Sequence, residues 1–581
     1  MCSLILIYLL ILLKIINMKK LFLNLLVIFI YSVVSSAQTA PTKYWIKFKD
    51  KNNSPYSISI PAAFLSSKSI ERRIKQGITI QENDLPVNSW YIDSVQNTGA
   101  KVLTKSKWFN AVTISTTDTS VINKIMKFPF VVNVEKVTKY KKKNIEKDID
   151  IDFSENNAKK NEEKKDQKDL STSQEYHYGK GKNQIEMLGG IYMHNHGYRG
   201  EGMTIAVIDG GFYKVDKLSI FDSLWINKQI LGYKDFVSPN GNVFNEATHG
   251  MSVLSTMGGN LPGQLVGTAP KANYWLLRSE DTNSEFPVEE DNWVAAAEFA
   301  DSVGVDVINS SLGYTEFDNG YLSHTYADMN GNTCRVTIGA DLAVSKGMIV
   351  VNSAGNSGND NWKYIGAPAD GDSVLTIGAV DPTGDYAAFS SIGPSHDGRV
   401  KPDVVAQGLN TYVVSSNGSV YTSNGTSFSS PVMAGMVACL WQANPNKKNT
   451  EILDAIRKSA SQYNEPDIYL GYGIPNFPVA NKILSEFNTC CKPSENSFNL
   501  FPNPFTNDLI VVLNVMNNDK ANIELIDIKG KLVFSQENYV LHKGCNYIIL
   551  DTLNKISKGS YIVRIRTFVN GNSFSHKVIK S

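Results

Sequence analysis

Three polar residues stand where the chain turns between apolar segments. Asp209 closes TIAVID before Gly210-Gly211, His249 lies in ATHGMSVLSTMGG, and Ser427 lies in SNGTSFSSPVMAGMVACLW. A serine hydroxyl is a weak nucleophile and needs a neighbouring base to take its proton. Histidine suits that task because its charge changes near neutral pH. A carboxylate can then hold the imidazole in one tautomer and stabilise the imidazolium. Ser427 also opens an apolar helical stretch, so its backbone N–H belongs to the unpaired donors of a helix start and points toward developing negative charge. Asn356, in NSAGNSG directly after the strand MIVV, adds a side-chain amide that can donate to the same oxyanion. Taken singly, an Asp after a strand is a turn or cap residue, a Ser before a helix is an N-cap, and an Asn between glycines is a turn former. Their joint occurrence points to acyl transfer at a carbonyl.

The elements that must position these groups alternate in kind. Between about 175 and 487, MTIAVID, YWLLR, VDVINSSLG, MIVVNSAG and SVLTIGAV are continuous apolar strands, as in a parallel sheet covered on both faces. DNWVAAAEFADSVG and CRVTIGADLAVSKG carry helical spacing between them. This predicts an α/β domain with a doubly wound, mostly parallel sheet, whose functional groups gather beyond the carboxyl ends of the strands.

VIDGG, THGMSVLSTMGG, SAGNSG and NGTSFSSPVMAG resemble the four motif blocks of the subtilisin-like (S8-type) serine protease family, in the family's order. The resemblance covers about residues 185 to 485 and includes FSSIGP and KPDVVAQG, between Phe389 and Gly408. It implies a serine endopeptidase, a hydrolase forming an acyl-enzyme on Ser427, with His249 as general base and acid and Asp209 orienting it. Asn356 and the Ser427 N–H would make the oxyanion hole. It further implies that Ser310, Ser311, Leu312 and Gly313 form an extended edge for substrate backbone. Ser353, Ala354 and Gly355 would wall the first side-chain pocket, with Gly366 near its floor, leaving room for medium or large apolar groups. Departures are small: Gly210 follows the acid where Thr or Ser is usual, HGMSV lacks a second histidine common there, and Phe428-Ser429-Ser430 replaces Met-Ala-Ala. No cofactor is implied for catalysis. Calcium often stabilises the family, but no loop has EF-hand spacing and the metal stays unassigned. His194 and His196 lack a third ligand of suitable spacing, and His396 in SHDGR reads as a surface residue.

Around this unit the chain changes character. Its 581 residues are too many for one compact domain, and a formal net charge of +1 gives no global field toward nucleic acid. Residues 1–37 read as a signal peptide, with a second start at Met18 before Lys19-Lys20, an apolar run and Ser35-Ser36-Ala37. Residues 38–138 read as a small α+β unit similar to the propeptide of such proteases. Residues 139–174 are a charged linker, low in apolar residues, that cannot fold alone. The peptidase domain then spans 175–487, and 488–581 reads as an all-β sandwich. Phe501-Pro502-Asn503-Pro504-Phe505, IELIDIKGKLV, KGSYIVRI and the basic end HKVIKS make the last unit similar to the sorting domain of type IX secretion cargo. The partners expected are polypeptide substrates, the chain's own propeptide and that secretion machinery. The protein should be a monomer, secreted or held at the cell surface. Six cysteines are too few for a disulfide framework, and Cys490 and Cys491 are adjacent.

Overall fold

A computed structural model describes residues 42–138, 176–486 and 497–581, apart from 319, 502, 506–508, 542, 551–552 and 570. The signal sequence, most of the charged linker, Cys2, Cys490 and Cys491 therefore lie outside the described residues.

The central unit is built on seven strands: β5 (Thr204–Asp209), β6 (Ile230–Asp235), β7 (Asn273–Arg278), β8 (Val307–Ser310), β9 (Ile349–Ser353), β10 (Leu375–Val380) and β11 (Val404–Gln407). Their order is β11-β10-β9-β8-β5-β7-β6, and every pairing is parallel. The chain winds from β5 to one edge, then crosses back and winds to the other, so the order reverses beside β5. That is where an open parallel sheet leaves a crevice at its carboxyl ends. Every residue of β5 is buried. Ile205 and Val207 enter the core on one face, while Ala206 and Ile208 enter the core on the other. This is why the strand reads as an unbroken apolar run.

Helices α4 (His249–Gly258) and α7 (Thr426–Ala443) pack on the first face through Met251, Leu254, Met257, Val432, Met433 and Met436. Helices α5 (Val288–Val303) and α6 (Arg335–Ser345) cover the second through Trp293, Ala296, Ala300, Val336 and Ala340. The doubly wound expectation is thus met.

The N-terminal unit is a four-stranded antiparallel sheet of order β2-β3-β1-β4: β1 (Thr42–Phe48), β2 (Lys101–Ser106), β3 (Ala111–Thr116) and β4 (Val131–Lys136). Helix α1 (Ser67–Gln76) starts on Ser66, whose side chain accepts from the Ser69 N–H, and stops at left-handed Gly77, φ 71°. This unit sits on α5 through buried charge. The Glu298 carboxylate accepts from Ser106 Oγ at 2.6 Å and from the Lys107 and Trp108 N–H groups at 2.7 and 3.0 Å. Arg72, Arg73 and Lys107 surround fully buried Asp301 at 2.6 to 2.9 Å.

The C-terminal unit has two antiparallel sheets. One is β14 (Ser497–Phe501), β15 (Leu509–Val515) and β18 (Gly544–Leu550). The other is β16 (Asp519–Asp527), β17 (Leu532–Leu541), β19 (Gly559–Thr567) and β20 (Ser573–Lys580). Alternate residues Leu509, Val511 and Leu513 meet Ile523, Leu525, Val563 and Ile565 in one shared core, the inward alternation expected of two packed sheets. Among the described residues no helix is long and apolar enough to cross a membrane.

Candidate active site

Asp209 is the last residue of β5 and is fully buried. His249 is the first residue of α4, 5% exposed, and its Nδ1 lies 2.9 and 3.0 Å from the two Asp209 carboxylate oxygens. With Nδ1–H donating to the carboxylate, Nε2 is left as the basic nitrogen. The contact is this close because Gly250 is bare. A Cβ there would stand 2.4 Å from the Gly211 carbonyl oxygen and 2.9 Å from Asp209 Cβ. Burial by itself would lower the imidazole pKa, but the charge of Asp209 and its hydrogen bond outweigh burial and hold it above the ordinary value.

Ser427 occupies the second position of α7 and is half-buried. Three contacts fix that helix start. Ser311 Oγ donates to the Ser427 carbonyl at 2.9 Å, Ser430 Oγ donates to Asn309 Oδ1 at 3.0 Å, and Phe428 lies beside the His249 ring with centroids 6.1 Å apart. Asn356 is oriented by its neighbour: its Oδ1 accepts from both the N–H and Oγ1 of Thr426, each at 2.9 Å. The amide nitrogen is thereby turned the other way. It and the Ser427 N–H flank one point over Gly425, where a Cβ would meet them at 3.5 and 3.6 Å.

Asp209, His249, Asn356 and Ser427 all line one cleft of about 370 Å³. Of the eight residues assigned to substrate contact, Ser311, Leu312, Gly313, Ser353, Gly355 and Gly366 also line it. Ser310 and Ala354 stand behind the wall. Ser310 Oγ accepts from Trp293 Nε1 at 3.0 Å, and Ala354 packs with Ile365 and Ala369. Gly366 is packed closely against the wall, where a Cβ would crowd Thr315 Cγ2 at 2.9 Å.

His194 is no metal ligand. Its Nδ1 takes the Tyr178 hydroxyl at 2.9 Å, its Nε2 meets the Thr268 carbonyl at 2.8 Å, and burial pushes it down to about 4. Among the described residues one acidic trio, Glu280, Glu285 and Glu289, has carboxylate oxygens within 4.8 Å of one another. It fits calcium poorly, because that ion takes six to eight oxygens. Both Glu289 oxygens already receive N–H groups, from Asp281 and Phe286, at 3.0 Å. Sequence reasoning missed this trio and Thr426: acids at a helix start read as ordinary dipole partners, and nothing in TS distinguishes an orienting Thr from a spacer.

Residues 200–473 match the model of the subtilase family. This part of the chain is a subtilase. Residues 43–152 match the peptidase S8 propeptide domain of Bacteroidota, and residues 499–581 match the secretion system C-terminal sorting domain. Subtilisin NAT of Bacillus subtilis subsp. natto is 29% identical over 292 residues, 50% of this chain and 68% of that protein. Serine protease AprX of Bacillus subtilis (strain 168) is 27% identical over 308 residues, 48% of this chain and 65% of that protein. A thermostable alkaline protease of Halalkalibacterium halodurans is 25% identical over 353 residues, 61% of this chain and 83% of its own. The chain is accordingly a subtilisin-like serine endopeptidase, a hydrolase with its own propeptide domain. The sorting domain marks this subtilase for secretion or the cell surface.

Proposed function

We propose that this subtilase cuts polypeptides through an acyl-enzyme on Ser427. The observation that carries the reading is the doubly bonded His249–Asp209 pair in the same cleft as Ser427 and an Asn356 amide held by Thr426. Ser427 Oγ attacks the scissile carbonyl as His249 Nε2 takes its proton, and Asp209 stabilises the imidazolium that results. Asn356 Nδ2 and the Ser427 N–H receive the oxyanion. The tetrahedral adduct collapses as His249 returns the proton to the leaving amine. A water, deprotonated by the same imidazole, then releases the acid. Every proton is held by the chain's own residues, and no cofactor enters these steps. Substrate backbone runs along Ser311–Gly313, and its first side chain enters between Ser353, Gly355 and Gly366.

The chain is divided into a signal peptide (1–37), propeptide domain (38–138), linker (139–174), peptidase domain (175–487) and sorting domain (488–581). It crosses the inner membrane on the signal and the outer membrane by the type IX route, is freed by cuts in the linker, and works as a monomer. The secreted protein should clear casein, and its Ser427→Ala variant should leave casein intact. Turnover of esters without turnover of casein, or casein clearance by Ser427→Ala, overturns the reading.

A further inference from the structure

A buried guanidinium outside the cleft ties together the two chain segments that deliver the acid and the imidazole. Arg278 ends β7, level with Asp209 of β5 on one side and with Asp235 of β6 on the other. It is 4% exposed. Its three nitrogens meet acceptors on three segments. Nε donates to the Gly210 carbonyl at 3.1 Å, Nη1 lies 2.9 Å from Asp235 Oδ2, and Nη2 lies 3.1 Å from Glu246 Oε2. Asp235 is itself fixed, because its Oδ1 accepts from the Val237 and Ser238 N–H groups at 2.9 and 2.8 Å. Gly210 follows Asp209 and donates its N–H to Asp209 Oδ1 at 2.7 Å. It has no side chain to brace the turn and little room for one, since a Cβ would stand 3.1 Å from Thr282 Cγ2. Glu246 lies three residues before His249. Its segment runs along the chain after the turn, where the Ala247 and Phe244 carbonyls accept from the Tyr213 and Lys214 N–H groups at 3.2 and 3.0 Å.

We propose that Arg278 is a positioning residue for acyl transfer: it locks the Gly210 turn, and with it the Asp209 carboxylate, to the segment that leads into His249. The inference rests on the acyl-transfer reading above. Two carboxylates are enough to balance a buried guanidinium. The third bond, to the carbonyl of the residue after Asp209, is what couples this ion pair to the reacting groups. Arginine suits the task because its planar fork presents donors in several fixed directions, whereas lysine is a point charge on a flexible stem. Without the tie, turn and segment can shift past each other, and the 2.9 and 3.0 Å contacts between His249 Nδ1 and the Asp209 oxygens are set less tightly. A misplacement of about 1 Å is enough to cost up to roughly 10²-fold in rate. Arg278 is not among the residues that line the cleft. Its loss should therefore fall on kcat and leave substrate binding nearly as it was.

Steady-state kinetics of the secreted protein on one quenched peptide, with active sites counted by fluorophosphonate titration, test this. Arg278→Gln should lower kcat per titrated site by about 10- to 10²-fold, with KM within about twofold. Arg278→Lys keeps the charge, so its melting temperature should exceed that of Arg278→Gln, yet it should still lose about tenfold in kcat. Glu246→Gln, at a partly exposed position, removes one arm of the tie and leaves the buried Asp235 pair in place. It should lower kcat about three- to tenfold, and it keeps the test decisive if the Arg278 variants do not fold. An arginine that served stability alone would lower the melting temperature and leave kcat per titrated site unchanged. Unchanged kcat per titrated site in Arg278→Lys or in Glu246→Gln, or a loss confined to KM, overturns the inference and leaves the acyl-transfer reading standing. If the unaltered protein neither takes the label on Ser427 nor cuts the peptide, that reading fails and this inference with it.

Discussion

At the scale of single residues the site divides into groups that react and groups that aim them. In the proposed acyl transfer Asn356 does both: its Oδ1 is held by Thr426, which leaves the amide nitrogen for the oxyanion. Asn356→Asp keeps an acceptor for Thr426 and removes the donor. It should lower kcat by about 10²- to 10³-fold or more with little change in KM, read by steady-state kinetics on a fixed peptide. In the proposed step His249 must be neutral to take the serine proton; burial opposes the charged ring, but Asp209 outweighs it and raises the pKa above the ordinary 6.5. The rate should therefore rise with pH through a midpoint above 6.5. Asp209→Asn leaves burial unopposed, so the midpoint should move down while kcat falls roughly 10⁴-fold. A pH profile of kcat/KM for both proteins checks the sign. These residues were readable in the sequence because each sits in a short block whose glycines dictate the local turn. The trio Glu280, Glu285 and Glu289 was not, because its members converge only when β7 and the start of α5 meet across the cleft.

At the scale of elements, the pair depends on how near α4 comes to the end of β5. Gly250→Ala places a Cβ 2.4 Å from the Gly211 carbonyl oxygen, so the helix must retreat. The expected cost is about 1–3 kcal/mol of stability and up to roughly 10²-fold in kcat as His249 drifts from Asp209, seen by thermal melting and by kinetics. Helix α5 shows a limit of reading one element alone. Its acids at 298 and 301 carry the pattern of a solvated face, yet Glu298 and Asp301 are buried because the propeptide domain covers them. Burial disfavours the Asp301 charge, but Lys107, Arg72 and Arg73 outweigh it and hold the group well below the usual carboxylate range. Because the docked value is depressed, the stabilisation is present above about pH 4 and fades as pH falls through the docked value. Asp301→Ala leaves Arg72 and Lys107 without a carboxylate partner, Arg73 keeping Asp84 at 2.9 Å, and should weaken docking by about 3–5 kcal/mol. In a Ser427→Ala background, faster proteolytic loss of residues 42–138 at neutral pH would report that weakening; an unchanged rate would contradict it.

At the scale of the whole molecule, three units with different periodicities follow one another, and this order was plain in the sequence. Apolar runs gave the parallel sheet, alternation gave the C-terminal antiparallel sheets, and short mixed strands gave the propeptide domain. Less readable was which side chains of a wall face the cleft: Ser310 and Ala354 belong to wall-forming segments but turn to Trp293 and to Ile365. One residue's pleat decides that, and flanking sequence does not. The central claim is that β5, α4, α7 and the loop after β9 bring Asp209, His249, Ser427 and Asn356 together as one acyl-transfer centre. Treatment of the secreted protein with a fluorophosphonate, followed by mass mapping of the adduct, tests it most directly. The account predicts a single adduct on Ser427, lost in His249→Ala; no adduct, or one on a different serine, would contradict it.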